Sequence, residues 1–158
     1  MRRAPMSLER VVNENAATLR ELVEVLNDGR KFYEEAAAQA RAGDLKLLFG
    51  RMARTKGAIA GALNARIEAH GAAAPADGTL SGMLRKAYGE LRACLSNTPD
   101  EEYVGQLEGF EDRIISVFRS AAGESDDPEV RAVASKYLPD VMRDHSEMSA
   151  LKHQLRRH

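Results

Sequence analysis

The chain has 158 residues, a formal net charge of -1 from 23 Lys and Arg against 24 Asp and Glu, 5% aromatic residues and no Trp. That length suits one domain with a core of its own, and the balanced charge gives no footing for a nucleic-acid or anionic-membrane partner. The single cysteine, Cys94, excludes an intramolecular disulfide, and no apolar stretch approaches the ~20 residues of a membrane-spanning helix. Abundant Ala, Leu, Glu and Arg with few β-branched runs predict an all-α chain. The opening MRRAPMSLER has a basic pair but no apolar core of a secretory signal, so a cytoplasmic protein is expected.

Residues 1–17 read as a partly helical N-terminal extension and 18–158 as one domain. Ser7 is a candidate helix cap, and Thr18-Leu-Arg-Glu21 has the stronger pattern of a capping box. The first long helix carries Leu19, Leu22, Val23, Leu26, Tyr33, Ala36, Ala37 and Ala40 at steps of three and four, which is one apolar face. Gly43-Asp44 is expected to end it and cap the second, whose stripe is Leu45, Leu48, Phe49, Met52, Ile59, Leu63 and Ile67 up to Gly71. Residues 72–79 read as a linker, followed by a short amphipathic helix with Leu80, Met83, Leu84, Tyr88, Leu91 and Leu95 on its apolar side. This short helix is expected to bury Leu84, Tyr88 and Leu91 on the outside of the bundle.

Asn97-Thr-Pro99-Asp100 opens the third long helix, with Val104, Leu107, Ile114, Ile115, Phe118, Ala121 and Ala122 facing inward. Gly123 to Pro128 reads as a polar break. The fourth stripe is Val130, Val133, Tyr137, Val141, Met148, Leu151 and Leu155. Pro139 lies inside it and removes one backbone donor, but the stripe resumes in phase, so the helix continues. Short turns make helices 1–2 and 3–4 antiparallel hairpins. The hairpins also resemble each other: a shift of 85 positions lays Leu26 on Glu111, Tyr33 on Phe118, Ala36-Ala37 on Ala121-Ala122 and Met52 on Tyr137. Two similar hairpins with one long crossover have the connectivity of a ferritin-like bundle.

The segments LVEVLNDGRKFYEEAA (22–37), LKLLFGRM (45–52) and LEGFEDRIISVFRSAA (107–122), with the pair Asp144-His145, resemble a bacterial family of ferritin-like four-helix-bundle proteins of unknown function. The resemblance covers roughly residues 18–155 and implies a ferritin-like fold without an activity. Carboxylate-bridged di-metal bundles take one Glu from each of two helices and Glu-x-x-His from each of the other two. In that register the first-helix position, seven before Tyr33, is Leu26, and the third-helix position is Glu111. The second helix reads Lys56-x-x-Ile59. The fourth reads Met142-x-x-His145, or Val141-x-x-Asp144 in the register of the internal repeat. At most two of six ligands remain, so no metal and no cofactor is expected.

Charge nonetheless interrupts three apolar stripes at one level: at Thr55–Lys56, at Glu111, and at Asp144–His145. A buried Lys or Glu needs a partner. Lys56 is therefore expected to pair with Glu111, with Asp144 or His145 alongside, as a polar core at a former metal position. The bland reading, a satisfied ion pair that fixes helix register, is weighted above an inherited functional site, and a Lys56 that snorkels to water is the third.

The other charged pairs, Glu34-Glu35 and Glu101-Glu102, diverge by about 100° on a helix and suit solvated faces. Glu108 is expected at the boundary, His70 at a helix C-terminus, and Gly57 and Gly61 at a close contact, between helices or between subunits. These features point to a non-enzymatic bundle, a stress-associated structural or binding protein with an unknown protein partner, as a monomer or weak dimer. A metal-dependent oxidase or metal-storage protein with an atypical carboxylate/His site is the alternative.

Overall fold

A computed structural model describes the backbone of residues 8–73 and 99–156, with side chains described from residue 16 onward. Four helices make up this part: α1 (Leu8–Gln39), α2 (Gly43–Ala69), α3 (Pro99–Glu124) and α4 (Pro128–Arg156). No strand occurs among the described residues. Residues 74–98, which hold most of the linker expected over 72–79, the short helix expected to follow it and Cys94, lie outside them.

The ends differ from the sequence reading in instructive ways. α1 begins at Leu8 and runs unbroken through Thr18-Leu-Arg-Glu21, so that capping box starts nothing. The i, i+3 pattern is compatible with helix interior once residues on both sides supply the backbone bonds. α2 is preceded by Ala42, which has no capping side chain, while Asp44 sits inside the first turn and accepts from Leu45 N. The turn before α2 is held from elsewhere in the chain. Asp100, at the start of α3, takes Arg41 N at 2.7 Å on one oxygen and Ala42 N at 3.0 Å on the other.

At the far end of α2, Gly71 adopts φ +79, and Gly71 N and Ala72 N return to Glu68 O and Ile67 O. A left-handed residue after a helix favours glycine because it lacks Cβ. α3 continues through Gly123 to Glu124, so the break is confined to 125–127. There Asp127 Oδ1 accepts from Glu129 N at 3.0 Å, an N-cap followed by Pro128 in the first helical position. Pro139 is tolerated inside α4.

α1 pairs with α2 and α3 with α4, and α1 then packs on α3. The Asp100 bonds place the start of α3 beside the α1–α2 turn. The Arg66 and His70 contacts to Glu129 place the end of α2 beside the start of α4. The α2-to-α3 connection therefore joins opposite ends, and the helices run up, down, down, up. One core unites them. Tyr33, Phe32, Phe49, Phe118, Leu22, Leu26, Leu63, Ile67, Leu107 and Ile114 are all buried side chains in it. Each such side chain contributes about 1.5–3 kcal/mol by leaving water.

Candidate functional site

The middle of this apolar core contains charge. The buried polar or charged residues among those described are Asp28, Lys56, Glu111 and Asp144. Lys56, Glu111 and Asp144 come from α2, α3 and α4, and α1 adds Tyr33. Lys56 Nζ lies 2.5 Å from Glu111 Oε1 and 3.1 Å from Asp144 Oδ2, with its side chain only 3% exposed. The Tyr33 hydroxyl donates to the same Glu111 Oε1 at 2.6 Å. Its ring lies beneath the ammonium, 4.6 Å from Nζ to the centroid, a cation–π contact. Glu111 Oε2 is buried without a hydrogen-bond partner.

Space for the lysine stem is made by Gly29. A Cβ there would stand 3.1 Å from Lys56 Cδ and 3.1 Å from Ile114 Cδ1. A glycine inside a helix costs about 1 kcal/mol against alanine, and here it allows the stem to cross from α2 against α1.

The electrostatics follow from burial. Glu111 is raised above its ordinary 4.5, first because burial penalises its charged form; Lys56 and the Tyr33 bond oppose that, and Asp144 reinforces it. The Tyr33 phenol is pushed well above 10.0 by burial and by the neighbouring Glu111 carboxylate. One ammonium faces two carboxylates, so the group is a compact, largely buried charge cluster.

The fourth helix presents Val141 and Asp144 to the core, 3% and 6% exposed, while Met142 is 41% exposed. The repeat register is therefore the one that faces inward. His145, from the other register, does not reach Lys56. One residue on is about 100° around the helix, and its ring nitrogen instead contacts Asp112 Oδ1 on α3. Nothing in the apolar periodicity of α3 marked Asp112 as that partner. Gly29 carried a legible signal, a mid-helix glycine, whose purpose needed α2 in place.

The remaining candidates are accounted for locally. Gly57 makes room for Arg30 Cδ of α1 at 3.1 Å, so its close contact lies within the chain, whereas Gly61 faces open space. Glu108 is partly buried and takes Lys152 Nζ at 3.1 Å. His70 caps α2 and reaches Glu129 Oε2 at 2.9 Å. No described helix is long and apolar enough to cross a membrane.

Comparison with known proteins adds one relation. Residues 14–124 match the family described as a domain of unknown function, DUF2383, and the chain belongs to that family. Tyr33, Lys56 and Glu111 lie within the matched stretch. No curated protein and no solved structure matches.

Proposed function

For this member of the DUF2383 family, we propose a non-enzymatic role: a ferritin-like bundle without its di-metal centre, serving as a stress-associated structural or binding protein. The observation that carries the proposal is the position of Lys56, whose ammonium stands between Glu111 and Asp144 in the middle of the core. A built-in cation there does for the two carboxylates what a bound ion would do, and it repels any ion that approaches.

The ferritin-like assignment draws support from two features. The helices run up, down, down, up with one connection between opposite ends. The positions equivalent to the ligands of a di-metal bundle, Leu26, Lys56, Ile59, Glu111, Val141 and Asp144, are all buried. Of these only Glu111 and Asp144 are carboxylates, and they share the lysine. The described surface exposes few large apolar side chains, Leu47 and Met142, on different helices. That favours a monomer or weak dimer over a shell.

Elemental analysis of protein purified without chelators tests the reading. No iron or manganese dependent on Glu111 is expected. Stoichiometric iron or manganese that disappears in Glu111→Gln supports the metal-dependent oxidase or storage alternative and overturns this one.

A further inference from the structure

A second group of chemistry-bearing side chains lies at the edge of the α3–α4 hairpin. Glu108 and Asp112 are four residues apart on α3 and so share a face. His145 approaches them from α4. One donor atom from each of the three lies within 4.8 Å of the others. His145 Nε2 contacts Asp112 Oδ1, and Lys152 Nζ holds Glu108 Oε2 at 3.1 Å. We propose that Glu108, Asp112 and His145 form a binding site for one divalent transition-metal ion, separate from the Lys56 core.

The donor set selects the ion. One imidazole with two carboxylates suits zinc, manganese, iron or cobalt; calcium and magnesium prefer all-oxygen shells, and copper(I) prefers sulfur. Donors at about 2.0–2.2 Å from a tetrahedral ion stand about 3.4 Å apart, so closing the cluster needs movements of about 1.4 Å at most. The paired helices fix the backbone. The Asp112 side chain, 63% exposed, is free to make the adjustment, while those of His145 and Glu108, at 26% and 15%, are already held. Three protein donors leave a fourth position for water.

The charge balance around the cluster favours a cation as well. Glu111 and Asp144 are the sequence neighbours of Asp112 and His145, and they share Lys56 in the core. With Glu108 and Asp112 they make four carboxylates met by two ammonium groups, Lys56 and Lys152. The negative charge at this level, Glu111 with its buried and unpartnered Oε2 included, exceeds the positive. A divalent ion at the edge offsets it, and displaces Lys152 from Glu108 as it binds.

Calorimetric titration of the full chain with zinc chloride near neutral pH, with manganese and calcium chloride as comparisons, decides the matter. One zinc per chain is expected, with no heat from calcium. His145→Ala and Asp112→Asn should each weaken binding by at least about tenfold. Asp112→Asn is a surface change that leaves the fold intact, as circular dichroism would verify. A variant lacking His70 and His153 should bind as the wild type does. Lys56→Met with Glu111→Leu should also retain zinc, which separates this site from any metal in the core. Absence of saturable one-to-one binding, or binding indifferent to both His145→Ala and Asp112→Asn, overturns the proposal.

Discussion

Lys56→Met is the most informative single change in this protein. Methionine keeps the stem that packs against Gly29 and the Tyr33 ring but removes the ammonium. Glu111 Oε1 then has only the Tyr33 hydroxyl, Oε2 stays unpartnered, and Asp144 Oδ2 loses its donor at 3.1 Å. Breaking a buried pair from one side costs about 3–5 kcal/mol. Replacing both partners removes the orphaned charge, so Lys56→Met with Glu111→Leu should lie within about 1–2 kcal/mol of wild type.

The loss also depends on pH. Glu111 has a folded-state pKa above 4.5, chiefly from burial. A raised carboxyl contributes stability that is fully present below the unfolded value and lost as pH rises through the folded value. Lys56 opposes that upward shift, so its removal raises the folded value further. The deficit of Lys56→Met should therefore be smaller at acid pH than at neutral pH. Urea unfolding of the two single variants and the double variant, followed by far-ultraviolet circular dichroism, gives the coupling directly. A deficit that is pH-independent, or single-variant losses that add within about 0.5 kcal/mol, would refute the reasoning.

Tyr33→Phe should cost about 1.5–3 kcal/mol at neutral pH through the lost bond to Glu111. Because the Tyr33 phenol lies well above 10.0 when folded, its contribution is present below 10.0 and is lost as the unfolded chain ionises above that; the deficit should narrow in urea unfolding at alkaline pH. Gly29→Ala gains about 1 kcal/mol of helix propensity but presses Cβ onto Lys56 and Ile114 at 3.1 Å, an overpacking cost of about 1–3 kcal/mol. Thermal denaturation should show a net loss, and a stabilised variant would mean the lysine stem has room to move. Asp100→Ala should cost about 1–2 kcal/mol by releasing two backbone donors of the α1–α2 turn, and hydrogen exchange at Arg41 and Ala42 should quicken.

Much of this architecture is written in local chemistry. The apolar stripes of α1, α2, α3 and α4 each repeat at helical spacing, and Pro99, Pro128 and Gly71 sit where proline and glycine punctuate helices. Period and punctuation are properties of neighbours in the chain, so they are legible without a fold. The charge that interrupts the stripes at Lys56, Glu111 and Asp144 is legible in the same way, as a break in period.

Tertiary structure decided which neighbour joins Lys56 and Glu111, and which distant residues meet elsewhere. Asp144 and His145 are adjacent, and which one faces the core depends on the rotation of α4, set by how Val130, Val133, Val141 and Met148 pack. Asp100 caps a turn 58 residues earlier, and Asp112 meets a histidine 33 residues later. Gly29 is a weak point of α1 by propensity and a necessity once Lys56 crosses beside it. Such partnerships form between surfaces brought together only by burying the four stripes, and no spacing along the chain encodes them.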